Sequence, residues 1–488
     1  MGHAITHDVQ VWGVRRYKGK RKTTYTVRWR VEGNTRQETF DTAKLADAFR
    51  ARLLLAMRNA EPFDVGNGLP VGAVTAKPPV AWVGHAMAFV DTKWAHASPR
   101  HRKGIAEGLV SATMAAFDSE VPDPANVRRA LERWAFNTNA RRARGEDGVP
   151  DHYAQAMRWV NNNSPVLSEM TDAARLRRVL DGLTLRLDGR PAAPSTVARK
   201  RSALYSAFQY AVEIDALPVN PMDRIAWRPA AHTDVIDRRV VVNPEQARAL
   251  LAAVRRIYPS LEAFFACIYY AGLRPAEVRH LTTANLELPT TAGAWGTLNL
   301  LGSTQTSGRA WTDSGSPTED RALKHRARRA TRDAPAPPEL VETLRRHLDQ
   351  FPPGLGGRLF VTRAGRAGVP IAPPFASPQA TGTVYRVWAR ARRAALTDAE
   401  YQSPLAKRPY DLRHAAVSLW LNAGVPATQV AEWAGHSVNV LLRVYASCIV
   451  GQDEASRHRV ELALSIPDRE SAEGVAARGD QTSPLFPH

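Results

Sequence analysis

One stretch of the chain, from Lys407 to Tyr445, constrains its local fold more than any other. Within it, an apolar run of helical spacing that includes Ala415, Leu419 and Leu421 stops at Gly424, a residue suited to the left-handed conformation in which helices commonly end. Pro426 is placed to open a second helix, because proline is favoured in a first helical turn. Gly435 interrupts the chain again before a last apolar run. The pattern predicts three short helices separated by sharp turns.

These helices would present three chemically useful side chains: Arg413, His436 and Tyr445. A guanidinium binds phosphate oxygens bidentately, an imidazole moves protons near neutrality, and a phenol oxygen can act as a nucleophile. Together they suit the cleavage of a phosphodiester. Each also has a simpler interpretation, namely an arginine on a solvated helix face, an imidazole hydrogen-bonded beside a helix end, and a core tyrosine with its hydroxyl satisfied.

An ordered set of motifs decides between these interpretations. Gly272–Glu277 reads GLRPAE, Tyr410–Arg413 reads YDLR, Gly435 and His436 form a Gly-His pair, and Tyr445 follows. In this order and spacing, the region from about residue 240 to 450 resembles the tyrosine recombinases of the phage integrase type, and the preceding region resembles them more loosely. One departure is Tyr410, which stands where many members of that family have histidine.

The resemblance implies a mechanism for duplex DNA. Arg274 and Arg413 would neutralise the scissile phosphate and its transition state, and Tyr445 would attack phosphorus to leave a 3′-phosphotyrosine and a free 5′-hydroxyl. His436 would hydrogen-bond the phosphate or help to remove the tyrosine proton. No metal, ATP or other cofactor is implied, because side-chain cations supply the positive charge and the covalent linkage conserves the phosphodiester energy.

Two further site residues carry more open assignments. The resemblance calls for a lysine on a β-hairpin that protonates the leaving oxygen, and Lys324 is the available one, late in a polar loop predicted from Gly302 to Ala330 between two strands. Its alternative is an exposed lysine without a role. Tyr410 is interpreted as a hydrogen-bonding substitute for histidine, since a phenol with a pKa near 10 is a poor proton shuttle at neutral pH. Glu277 is expected to be structural.

Charge and composition limit the classes of partner. The 488 residues carry a formal net charge of +19, which favours nucleic acid over a membrane. No run of eighteen apolar residues and no secretory signal pattern is visible, so a bacterial cytoplasmic, nucleoid-associated location is expected. Cys267 and Cys448 are too few for a disulfide framework or a zinc module. The fold class expected is a multidomain, mainly α protein with small β-sheets.

The first 62 residues are predicted to form a small sheet packed on one helix. From Thr24 to Val31 the chain alternates strictly, so that Tyr25 and Trp29 share one face while Arg28 and Arg30 share the other. A basic loop at 15–22 would lie beside the arginine face. The module resembles the arm-binding domains of integrases, in which such a sheet enters the major groove and its arginines contact DNA. The alternative is a solvated sheet face.

The remaining division of the chain is predicted from linkers and helical patterns. Residues 63–80 and 229–242 are linkers; 81–228 form a helical core-binding domain; 243–450 form the catalytic domain; and 451–488 carry a C-terminal helix and a polar tail. Ser195 is expected to start a long helix whose Arg199, Lys200 and Arg201 contact DNA phosphates, the alternative being a solvated basic cluster. Residues 137–150 are interpreted as a flexible insertion.

Three hypotheses follow for function. The first is a site-specific recombinase that integrates or excises a mobile element, acting as a homotetramer on double-stranded attachment sites with a directionality or host bending factor. The second is a type IB topoisomerase, which shares the chemistry but not the small N-terminal sheet module. The third is a DNA-binding protein that has lost catalysis, for which only the substitution at Tyr410 argues.

Overall fold

The computed structural model describes residues 4–19, 23–71, 80–227, 235–323, 331–365, 368–445, 448 and 453–464. The chain divides into two compact units, Met1–Ala230 and Ala231–His488. Within the described ranges, no helix is both long enough and apolar enough to cross a membrane. Helices predominate and the sheets are small, which confirms the expected mainly α fold class.

The first unit begins with a four-stranded antiparallel sheet in which one long strand pairs with three others. The strands are β1 (Ile5–Thr6), β2 (Val9–Val11), β3 (Arg15–Lys18), β4 (Thr23–Val31), β5 (Asn34–Phe40) and β6 (Phe63–Asp64), and helix α1 spans Ala43–Arg58. Strands β2 and β3 share one edge of β4, β5 pairs with the other, and β1 pairs separately with β6. The sheet reaches four strands because β4 is long enough to hold two short partners on one edge.

The alternation along β4 matches the prediction from sequence. Val27, Trp29 and Val31 are buried, while Arg28 and Arg30 between them are exposed. Helix α1 covers the apolar face, and its Phe49 ring meets Trp29 edge-on with 5.3 Å between the ring centroids. The predicted basic loop at 15–22 begins instead as strand β3, because the backbone of residues 15–18 pairs with that of β4.

Helices predominate among the remaining described residues of the first unit. They are α2 (Trp82–Trp94), α3 (Pro99–Ala116), α4 (Pro124–Ala130), α5 (Thr138–Arg144), α6 (Asp151–Asn163), α7 (Ala173–Leu183) and α8 (Pro194–Glu213). Helix α3 starts at a serine-proline pair, with the Ser98 side chain accepting a hydrogen bond from the His101 backbone N–H. Helix α8 starts at Pro194, one residue before the predicted Ser195, because proline occupies its first turn.

The flexible insertion predicted at 137–150 is wrong, since α5 occupies its first half. Asn137 caps that helix by accepting from the Ala140 backbone N–H. Arg141 then anchors it through an ion pair with Asp91, with 2.7 Å between Nη2 and Oδ1. The charged residues that suggested a mobile loop include Arg141, which makes this tertiary contact.

The second unit surrounds one buried helix. Its elements are helices α9 (Pro244–Ile257), α10 (Glu262–Tyr270) and α11 (Pro275–Val278), strands β7 (Leu286–Glu287), β8 (Gly296–Leu300), β9 (Gly302–Thr306), β10 (Thr318–Ala322) and β11 (Arg332–Ala336), and helices α12 (Pro338–Gln350), α13 (Thr381–Ala395), α14 (Asp398–Gln402), α15 (Asp411–Asn422), α16 (Ala427–Ala434), α17 (Val438–Tyr445) and α18 (Asp453–Leu464). Helix α10 is buried nearly all round, as its apolar sequence predicts, and Phe265 stacks on Trp388 of α13 with 4.9 Å between ring centroids.

The polar loop predicted from Gly302 to Ala330 contains a β-hairpin. Strands β9 and β10 pair from Gly302 opposite Ala322 to Thr306 opposite Thr318. Arg358 holds the hairpin by donating to the Asp320 carboxylate at 2.9 Å and to the Thr304 hydroxyl at 2.9 Å. Short polar strands of this kind leave little apolar pattern in the sequence, so the hairpin is recognised from its backbone pairing in the structure. Lys324, predicted in the same loop, lies outside the described residues.

Candidate active site

Arg274 lies at the turn that ends the buried helix. Gly272 adopts a φ of +60°, and a Cβ there would lie 2.7 Å from the Trp420 ring, so the turn needs glycine on both counts. Arg274 is the N-terminal cap of α11, and its backbone N–H donates to Glu277 Oε2 at 2.8 Å. Its guanidinium donates to the Gly435 carbonyl at 2.8 Å. The local turn thus directs Arg274 towards the Gly-His pair.

Glu277 is the counter-charge of the site. Its carboxylate accepts from Arg274 Nη1 at 2.7 Å and from Arg332 Nη2 at 2.8 Å, and its side chain is 2% exposed. Burial alone would favour the neutral acid, but the charges of Arg332, Arg274 and Arg413 lower the pKa of Glu277 to about 2. Glu277 therefore remains ionised at neutral pH and holds the guanidiniums in place, in keeping with the structural role expected for it.

Arg413 is fully buried in the first turn of α15. Its guanidinium donates to the carbonyls of Gly272 and Ala434, which tie the turn before α11 to the end of α16. It also donates to Nε2 of His436 at 2.8 Å, since an arginine has no lone pair with which to accept. Burial and the neighbouring charge of Arg274 lower the pKa of Arg413 from its ordinary value.

His436 follows Gly435, whose left-handed backbone conformation directs the chain after the helix. Gly435 ends α16 in the left-handed region with φ +63°, and a Cβ at this position would collide with the guanidinium of Arg332. Burial, with the charges of Arg413, Arg274 and Arg332 nearby, lowers the pKa of His436 to about 3. The imidazole is therefore neutral at physiological pH.

Tyr445 ends α17 with its side chain 1% exposed. Its hydroxyl lies 3.0 Å from Nδ1 of His414, and its ring centroid lies 6.0 Å from that of His436. Burial raises the pKa of Tyr445 above that of a free phenol, although the charge of Arg413 opposes the rise. A group that accepts its proton is needed before this oxygen can attack as a phenolate.

Five of the six predicted catalytic residues have side chains in contact or in electrostatic interaction within one cluster. Four of them, Arg274, Arg413, His436 and Tyr445, do so as described above, and Tyr410 interacts with the Arg274 guanidinium. The sixth, Lys324, falls outside the described part of the chain.

Arg332 and His414 belong to the cluster and were not predicted. Arg332 is 3% exposed and donates to the Ala434 carbonyl at 2.9 Å as well as to Glu277. Its position at the start of a predicted strand carried no signal of burial. His414 could have been found from sequence, because it directly follows Arg413 and lies one helical turn after Tyr410.

The predicted DNA-binding side chains lie in the first unit and differ in their surroundings. Arg28 and Arg30 are exposed on the sheet, and Arg199 is exposed on α8. Lys200 is half-buried and donates to the Leu185 carbonyl at 3.0 Å, so it is less free to meet a phosphate than predicted. The Arg201 side chain is partly buried, and its Nε has no hydrogen-bond partner among the described residues.

The charge balance of the site favours an anionic ligand. Three clustered guanidiniums, those of Arg274, Arg332 and Arg413, face the single carboxylate of Glu277. An excess of positive charge at low solvent exposure attracts a phosphate strongly, because the interior screens charge less than water does. A phenol oxygen lies beside these cations. The arrangement is suited to nucleophilic attack on a phosphodiester.

Comparisons with known proteins give likenesses of structure alone. No protein-family model matches the chain, and no curated protein matches it. Among solved structures, the Tn1549 transposon integrase in complex with a circular intermediate DNA is 16% identical, with 66% of this chain and 97% of that chain covered at a TM-score of 0.43. The XerH site-specific recombinase bound to difH substrate is 14% identical, with 78% and 96% covered at a TM-score of 0.38. A lambda integrase dimer bound to a COC′ core site is 13% identical, with 93% and 96% covered at a TM-score of 0.41. At these identities and TM-scores no function is transferred to this chain.

Proposed function

We propose that the protein is a site-specific DNA recombinase of the tyrosine recombinase family, cutting and rejoining duplex DNA through a 3′-phosphotyrosine. The observation that carries the proposal is the convergence of Arg274, Arg413, His436 and Tyr445 from separate segments of the chain. Any one of these residues by itself is commonly found in a purely structural role. Two guanidiniums and an imidazole gathered around one phenol, with a surplus of positive charge, are what transfer of a phosphoryl group to tyrosine requires.

The chemical step balances within the protein and the DNA. The Tyr445 oxygen forms a bond to phosphorus and loses its proton, while the bond from phosphorus to the 5′ oxygen breaks. The leaving 5′ oxygen takes up a proton, and the resemblance to tyrosine recombinases assigns this proton to Lys324. Arg274 and Arg413 stabilise the added charge on the phosphate in the transition state. Reversal by another 5′-hydroxyl rejoins the strand, so no ATP is consumed.

The rest of the chain supplies DNA binding in this proposal. The exposed Arg28 and Arg30 on the N-terminal sheet and the net charge of +19 support contacts with a duplex outside the cleavage site. We extend the proposal to an N-terminal arm-binding domain at 1–62, a core-binding domain at 81–228 and a catalytic domain at 243–450. Assembly as a homotetramer on attachment sites of a mobile element, with a directionality or host bending factor, belongs to the same proposal.

Covalent trapping tests the chemistry. The full-length protein is incubated with nicked suicide duplexes from the flanks of its own element, and denaturation-resistant adducts are then measured. The parent protein should form an adduct and Tyr445→Phe should form none. Tyr153→Phe, which removes the hydroxyl of a buried tyrosine in the first unit, is the matched control and should behave as the parent. The absence of an adduct on tightly bound sites would refute the enzyme and leave the DNA-binding alternative.

A second assay separates the recombinase from the topoisomerase. Sequence-specific exchange between two duplexes is expected, with no relaxation of supercoiled plasmid that lacks a site. Relaxation of such a plasmid without strand exchange would favour the type IB topoisomerase.

A further inference from the structure

His414 is the imidazole that contacts the proposed nucleophile. It lies in the first turns of α15, directly after Arg413, and its Nδ1 is 3.0 Å from the Tyr445 hydroxyl oxygen. No other hydrogen bond joins that hydroxyl to a described residue. The two rings are tilted by 54° with centroids 5.7 Å apart, so they meet through the ring nitrogen and the hydroxyl rather than by stacking. The distance is that of a hydrogen bond, in which Nδ1 accepts from the hydroxyl when the neutral ring carries its proton on Nε2.

His436, the other imidazole of the site, already accepts a hydrogen bond from Arg413. Arg413 can only donate, so the bond between them requires Nε2 of His436 to accept and use its lone pair. In a neutral ring the proton then resides on Nδ1, which is buried and has no hydrogen-bond partner among the described residues. His436 therefore has no free lone pair for the Tyr445 proton and is prepared to donate a hydrogen bond instead.

Tyr410 does not supply the basic nitrogen that a histidine at its position would provide. Its phenol has no basic nitrogen, and its hydroxyl interacts with the Arg274 guanidinium. It does, however, pack against the His414 ring, with 5.0 Å between centroids and an angle of 73°. One helical turn separates the two residues, so Tyr410 supports the imidazole that contacts Tyr445.

We propose that His414 is the catalytic base that accepts the Tyr445 proton during cleavage. The inference rests on the proposed function and adds a residue to it. In the step, the proton moves from the Tyr445 oxygen to Nδ1 of His414 as that oxygen bonds to phosphorus, and the 5′ oxygen leaves with a proton from the separate acid. When the strand is rejoined, His414 returns the proton to the departing Tyr445 oxygen.

The surroundings of His414 keep its imidazole neutral, so that it can accept a proton. Burial, with the charges of Arg408 and Arg413, lowers the pKa of His414 to about 4, so its lone pair is free at neutral pH. The same cations disfavour the imidazolium that forms in the step. A phosphodiester anion bound between the arginines offsets that cost, which couples proton removal to occupation of the site by DNA.

The test measures single-turnover adduct formation by full-length His414→Ala, His414→Asn and Tyr445→Phe on the suicide duplex. Loss of a general base is expected to slow His414→Ala by about 10²- to 10⁴-fold, with little change in DNA affinity. His414→Asn keeps a polar group near the hydroxyl but is not basic, so it should also be slow. Free imidazole should restore part of the rate of His414→Ala, a rescue that a purely structural role does not predict.

A second substrate distinguishes the nucleophile side of the reaction from the leaving-group side. A duplex with sulfur in place of the bridging 5′ oxygen expels a thiolate that needs no proton. The defect of His414→Ala should persist on this substrate, whereas a defect in the acid should be relieved. Relief of the His414→Ala defect would overturn the assignment.

Failure of the inference is separable from failure of the proposed function. If Tyr445→Phe is inactive while His414→Ala keeps the parental rate, the function stands and the assignment of His414 is wrong. If His414→Ala is faster than the parent, His414 restrains the tyrosine and is not its base. If Tyr445→Phe still forms the adduct, the proposed function itself fails.

Discussion

Replacement of Glu277 by glutamine should destabilise the second unit by about 3 kcal/mol at neutral pH. Glutamine keeps the shape and part of the hydrogen bonding but removes the carboxylate that, among the described residues, bonds to both Arg274 and Arg332. The pKa of Glu277 falls from 4.5 to about 2 on folding, and each unit corresponds to about 1.36 kcal/mol. Loss of one partner from a buried ion pair independently costs about 3–5 kcal/mol, because the other charges remain buried without compensation.

Calorimetry of the full-length protein measures this effect. For a unit of this size, about 3 kcal/mol corresponds to a fall in Tm of about 6–12 °C in the transition of the second unit. Asp398→Asn is the matched control, since it removes an exposed carboxylate that pairs with Arg393, and it should cost less than about 1 kcal/mol. A Glu277→Gln variant that unfolds within about 1 °C of the parent would refute the role of Glu277 as the counter-charge.

The same prediction has a pH dependence of defined sign. A carboxyl group with a lowered folded-state pKa stabilises the protein above its unfolded pKa of 4.5, and that contribution is lost as pH falls towards about 2. Glutamine does not titrate. The difference in stability between the parent and Glu277→Gln should therefore be largest at pH 6–8 and shrink below pH 4.5. A difference that stayed constant down to pH 3 would indicate a packing defect instead.

Three further predictions test the turn, the substituted box and the N-terminal sheet. Gly435→Ala should lose more stability than Gly293→Ala, because both have positive φ but only the first would push a Cβ into Arg332; equal losses by urea unfolding would contradict this. Tyr410→Phe should slow adduct formation and Tyr410→His should largely retain it, since the site needs a hydrogen-bonding group; a parental rate for Tyr410→Phe would show that the hydroxyl is dispensable. Arg30→Ala should reduce the slope of log affinity against log salt by about 0.9 while Arg30→Lys keeps it, and an unchanged slope for Arg30→Ala would remove this residue from the interface.

Local sequence patterns predicted the elements that short-range physics controls. The alternation around Trp29 identified a half-buried strand, and Asn243 and Gln246 have the spacing of the capping box that they form. Gly435 was expected to interrupt two helices, and it does so in the left-handed conformation. Side-chain period, caps and glycine conformations depend on residues a few positions apart. The sequence by itself contains what decides them.

The contacts that complete the candidate site depend on tertiary structure. The position of Arg332 at a strand start gives no hint that it bonds to Glu277, which lies 55 residues earlier in the chain. The sequence places His414 directly after Arg413, but only the fold brings its ring within 3.0 Å of the Tyr445 hydroxyl, 31 residues later in the chain. A buried charge or imidazole is retained only where a distant partner offsets its desolvation, and no local pattern records that partner. The sequence alone therefore determined the order of the motifs and their local shapes, while tertiary packing decided the hydrogen-bond partner of the tyrosine and the counter-charge of the arginines.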